Sequence, residues 1–85
     1  MLYLEDIKDE TQAMSAVPEL EVQAIEATEA MVNKRNKINR AEADIKMLMK
    51  LCVVRKWKDP MNRLQQMLDR LGEAKAEFQV NLWRS

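Results

Sequence analysis

"NKRNKINR", residues 33–40, decides how this 85-residue chain is read. It holds three Asn, four basic residues and one apolar residue, Ile38. A nucleic-acid patch, a loop between two helices and the hydrated middle of one long helix all suit it, and its surroundings discriminate among them. Stepping by seven from Val17 meets Val17, Ala24, Met31, Ile38, Ile45 and Cys52, apolar at every step. The companion positions are Leu20, Ala27, Lys34, Ala41, Leu48 and Arg55, four of them apolar. A sustained alternation of three and four is the seam of a coiled coil, and small side chains at 24, 27 and 41 permit close approach of a neighbour. The register runs through 33–40 with Asn33, Asn36 and Asn39 off the seam. The stretch therefore reads as the waist of one helix spanning 18–57, about 60 Å long at ~1.5 Å per residue, with a loop as the alternative. Lys34 is the flaw, because a cation on a seam costs stability and can serve only to set register or partner.

Two prolines punctuate the chain. Pro18 follows a candidate cap, Ser15, and precedes Glu19 and Glu21, which suits the first turn of a helix. Asp59 before Pro60 is a stronger start signal of the same kind. Residues 1–17 carry a thin stripe of Leu4, Ile7 and Met14, enough for a short helix or a tail. Residues 60–83 carry Leu64, Met67, Leu71, Ala74 and Phe78 on one stripe, widened by Met61, Leu68 and Leu82. Gly72 inside that segment costs roughly 1 kcal/mol relative to Ala, and suggests close approach of a neighbour. The short break at 58–60 implies an antiparallel hairpin of the second and third segments.

One Gly, two Pro and a predominance of Ala, Leu, Met, Glu, Lys, Arg and Gln point to an all-α chain. Its length bounds it to a single domain with a marginal core. The lone cysteine, Cys52, excludes an internal disulfide and sits on the seam as a small apolar residue. No apolar run approaches the ~20 residues needed to span a bilayer, and the acidic N-terminal stretch resembles neither a secretory signal nor a transit peptide. A cytoplasmic protein without a membrane segment is expected.

The net charge of zero conceals strong segregation. Residues 1–33 carry eight acids against Lys8, whereas residues 34–58 carry nine basic residues against Glu42 and Asp44. Opposed blocks favour pairing of the first third with the second, within one chain or between chains. The basic block offers an alternative function: Lys34, Arg35, Lys37 and Arg40 form a candidate polyanion patch, with Trp57 between Lys56 and Lys58 as a candidate base-stacking residue. At about 100° per residue, however, these cations spread around a helix, and an equal acidic block can neutralise them. Histidine is absent, which removes the usual general base and metal ligand together. A single Gly precludes a Gly-rich phosphate loop. Neither enzymatic activity, metal, cofactor nor small-molecule substrate is expected.

These observations predict a helical hairpin or three-helix arrangement with one long coiled-coil-like helix, completed by self-association or by a helical partner. Function is expected in the apolar surface of an assembly, adaptor or chaperone-like subunit. The candidate interaction surface comprises Met31, Ile38, Ile45, Leu48, Cys52, Leu64, Met67, Leu71, Phe78, Leu82 and Trp83. Seven methionines add to it, with Met47, Met49, Met61 and Met67 around the hairpin corner as a candidate groove.

Overall fold

A computed structural model describes the backbone from residue 6 to residue 84 and the side chains from residue 6 to residue 77. It contains three helices, α1 (Glu10–Glu29), α2 (Lys34–Arg55) and α3 (Lys58–Arg84). Short connections reverse the chain twice, and each helix packs against both others. The described residues are all-α, with no strand among them. They form a bundle rather than a rod.

The long helix expected over 18–57 is two helices, and the break falls at residues 30–33. Ala30 turns extended (φ −66°, ψ 139°), its N–H donating to the Ala27 carbonyl. Asn33 then enters the left-handed region at φ 54°, ψ 33°, and its carbonyl accepts the first bond of α2, from the Lys37 N–H at 2.9 Å. Asn tolerates this conformation better than any residue but Gly, using a short polar side chain. The remainder of the opening stretch, from Lys34 onward, is the start of α2. A continuous helix would leave its seam uncovered within one chain. Folding back sacrifices a few helical hydrogen bonds and lets Val17, Leu20, Ala24 and Ala27 close over Ile38, Ala41, Ile45, Leu48 and Cys52, all of which are buried. Burying even one Leu or Ile side chain contributes about 1.5–3 kcal/mol. The three seam positions left out are informative: Met31 is 97% exposed in the turn, Lys34 marks the start of α2, and Arg55, exposed, marks its end.

Pro18 does not begin a helix either. It lies inside α1, which starts eight residues earlier, and there it costs about 3 kcal/mol relative to Ala. The ring is on the exposed side of α1, while Val17 and Leu20 beside it are buried and offset that cost. The true start is a reciprocal cap at Asp9. Its Oδ1 accepts from the Gln12 N–H at 2.8 Å, and Gln12 Oε1 accepts from the Lys8 N–H at 2.6 Å. This is the capping-box arrangement displaced by one residue. Ser15, read above as a cap, instead donates its hydroxyl to the Thr11 carbonyl at 3.0 Å within the helix.

α2 ends in a Schellman motif. Lys56 adopts φ 62°, ψ 37°; its N–H donates to the Val53 carbonyl at 3.3 Å, and the Trp57 N–H donates to the Cys52 carbonyl at 2.9 Å. Trp57 lies half-buried against the core at this turn. α3 begins at Lys58, so Asp59 and Pro60 occupy its first turn rather than cap it, a shift of one or two residues. Pro60 is fully buried there. Gly72 is exposed, and a Cβ built on it would meet no atom within 4 Å. Close approach does not explain this glycine.

The break at 30–33 reverses the usual expectation for a proline at Arg35. In a continuous helix Arg35→Pro would destroy much of the helicity; here Arg35 is in the first turn of α2, where its N–H has no helical acceptor. Circular dichroism of Arg35→Pro should retain nearly all of the wild-type helical signal, with a loss of stability no larger than about 1–2 kcal/mol.

Candidate interaction surface

Seven of the residues expected on the interaction surface are inside the single chain. Ile38, Ile45, Leu48, Cys52, Leu64, Met67 and Leu71 all belong to one buried cluster shared by the three helices. The periodicity that identified them was that of an intramolecular core, so they are not available to a partner. Met31 is exposed, but in the turn and apart from the others. Phe78, Leu82 and Trp83 lie outside the residues whose side chains are described. The methionine groove at the hairpin corner also dissolves: Met67 is buried, and Met49 and Met61 are half-buried against the core.

The apolar surface that remains lies elsewhere. Along α2, Ala43, Met47, Leu51 and Val54 follow one another at intervals of four, four and three. At 100° per residue Ala43, Met47 and Val54 run about 150° round from the centre of the buried seam, and Leu51 lies at the inner edge of the row, packed against the core. Met47 is 47% exposed and Val54 76%, Ala43 is exposed, and Leu51 is half-buried. Lys46 and Lys50 flank this row, and Lys46 Nζ meets Glu42 Oε1 at 3.1 Å one turn back. α1 presents Val22 and Ile25, both about half-exposed. The signal for the α2 row was present in "IKMLMKLCVV", residues 45–54, which is apolar nearly all round. A seam accounts for only one side of such a helix.

Two shallow grooves border α1. One, toward α3, has Ala24, Ile25, Met67 and Leu71 with Glu21 and Arg70 at its edges. The other, toward α2, is lined by Gln23, Glu26, Ala27, Lys37 and Arg40. Next to the second groove, Gln23 Nε2 donates to Asp44 Oδ2 at 2.9 Å, linking α1 to α2. The opposed charge blocks thus lie side by side, but no ion pair joins them among the described residues. Of the four residues of the candidate polyanion patch, Lys37 and Arg40 share this groove with Glu26. Arg35 lies roughly 160° around α2 from Lys37, and Lys34 is partly buried. The helix does not gather these four cations on one face.

No group of three or more His, Cys, Asp or Glu is placed to hold a metal among the described residues. No helix among them is long and apolar enough to cross a membrane. Compared with protein-family models, curated proteins and solved structures, the chain matches none.

Cys52 is buried in the core. Desolvation holds its thiol above the ordinary value of 9.0, and the nearby charge of Glu10 adds to the effect. Since the thiolate is the reactive form, the folded protein should resist alkylation. A group whose folded pKa is raised contributes stability that is complete below its unfolded pKa and lost as pH rises through the folded value. Unfolding free energy should therefore fall with pH above about 9 more steeply in the wild type than in Cys52→Ala, as measured by urea titration from pH 7 to 11. Equal slopes would contradict the burial of an un-ionised thiol.

Proposed function

We propose that the protein is a small helical protein–protein interaction module, an assembly, adaptor or chaperone-like subunit, that receives another helix along the outer face of α2. The observation that carries this reading is the outward row Ala43, Met47 and Val54, with Leu51 at its inner edge, on the side away from a seam already satisfied within the chain. Single exposed apolar side chains are ordinary on protein surfaces. A row at helical spacing is different, because it has the form of one half of a helix–helix contact. Met47 suits the role, since an unbranched thioether side chain adapts to varied partners. The flanking Lys46 and Lys50 can lay their stems along a docked helix while keeping their charges in water. The proposal assigns no catalytic chemistry, cofactor or membrane contact to the chain, and the scatter of the basic residues gives a nucleic-acid role no comparable support.

Two glutamates in the row test this. Met47→Glu/Val54→Glu changes exposed positions, so folding stability should move by no more than about 0.5 kcal/mol per site. Association, read by sedimentation of the pure protein and by amine-crosslinking mass spectrometry in extract, should be lost. In the wild type, crosslinks should concentrate on Lys46 and Lys50. A wild-type chain that neither self-associates nor crosslinks to another helical chain would contradict the proposal.

A further inference from the structure

We propose that the partner received is a second copy of this chain, docked on the face that α1 and α2 share away from α3, about a two-fold axis parallel to the helices. This rests on the interaction-module reading and names its partner. On α1, Ser15, Glu19, Val22 and Glu26 follow at intervals of four, three and four, and all are exposed. On α2 the adjoining row is Arg40, Met47, Leu51 and Val54. The groove with Gln23, Ala27 and Lys37 on its walls runs between the two rows. The face is thus acidic along one ridge, and basic giving way to apolar along the other. α1 contains no basic residue at all. Among the described residues, the single ion pair is Lys46–Glu42, within α2, so neither ridge neutralises the other.

This pattern selects its occupant. A uniformly basic helix would satisfy the α1 ridge and be repelled by Arg40 and Lys37. A polyanion would do the reverse and meet Glu19 and Glu26. A surface that is negative on one side and positive on the other is complementary to itself, provided that the symmetry exchanges the sides. A two-fold axis lying in the face and across the helices stacks α1 on α1, like charge on like. The axis parallel to the helices puts α1 of each copy on α2 of the other. The Gln23–Asp44 bond sets the level, since α1 and α2 are antiparallel: Glu26 is level with Arg40, and Val22 lies within about one helical turn of Met47. The parallel axis preserves these levels between copies. Each Glu26 then faces the other copy's Arg40, and each Val22 comes against the other copy's Met47. Both contacts occur twice.

Two variants of the full chain test the arrangement: Glu19→Lys/Glu26→Lys, and Lys37→Glu/Arg40→Glu. Sedimentation in about 0.15 M salt, where the Debye length is only ~8 Å, suppresses the contribution of net charge. Wild type should be a dimer, and each variant alone should dimerise at least tenfold more weakly with its helicity retained. An equimolar mixture should restore a heterodimer of wild-type affinity, because both contacts are again attractive. Should either variant lose helicity, Val22→Lys, a single exposed change on the same face, should by itself weaken the dimer. A monomeric wild type, a dimer indifferent to these changes, or a mixture that fails to recover would overturn the proposal. A monomeric wild type that still crosslinks to a different helical chain through Lys46 and Lys50 would overturn it while leaving the interaction-module reading intact.

Discussion

Everything in the bundle depends on α2 burying one seam against two helices at once. Ile38, Ala41, Ile45, Leu48 and Cys52 are removed from water from one side by α1 and from the other by α3. That burial holds both chain reversals in place. Asn33 and Lys56, neither of them glycine, adopt left-handed backbone conformations to make those reversals. Each is worth roughly 1–2 kcal/mol against the fold, and burying two or three of the seam side chains offsets both. The two covers are unequal. α1 contributes Ala13, Ala16, Ala24 and Ala27 with Val17 and Leu20 as larger groups, whereas α3, among the described residues, contributes Pro60, Leu64, Met67 and Leu71. The small side chains of α1 allow close helix approach, and the larger ones of α3 fill the opposite side of the seam.

The all-helical class was legible, and so were nearly all the core positions, because the apolar period survives any change of connectivity. The connectivity was not. A turn through Ala30, Met31, Val32 and Asn33 has neither Gly nor Pro, and happens to have a length that preserves the count of seven. The charges misled as well. α1 ends on Glu26 and Glu29, and α2 begins on Lys34, Arg35 and Lys37, each the reverse of what a helix macrodipole favours at that end. Such residues look like the interior of a helix, where the dipole imposes no preference. The Lys34 flaw was the one mark of the break. The start of α1 was obscured by Pro18, although Asp9 and Gln12 carried the cap signature three residues apart. For the candidate surface the error had one cause: a seam satisfied inside the chain has the same period as a seam awaiting a partner. What distinguishes them is the excess of apolar residues on α2 beyond what one seam requires.

Charge segregation gains a different meaning in this fold. Exposed ion pairs contribute little to stability, and among the described residues no ion pair joins the opposed blocks. The fold sets an acidic ridge beside a basic one, with Val22, Met47 and Val54 among them. Charges so placed govern orientation and partner choice more than affinity, which the apolar groups supply. Fold and proposed function thus share one origin, the apolar excess of α2: its inner side closes the bundle, and its outer side is the face we propose receives a partner.

The central claim is that the chain turns back at 30–33 and closes a core of its own. An intrachain distance tests it most directly, with spin labels on cysteines introduced at Glu19 and Lys50 in a Cys52→Ala background, diluted into unlabelled protein. The closed bundle places these residues at nearly the same level on neighbouring helices, about 8–10 Å apart between axes, so the labels should lie within roughly 25 Å of one another. A helix continuous through 33–40 separates them by 31 residues, or about 46 Å, and a distribution centred there would contradict the account.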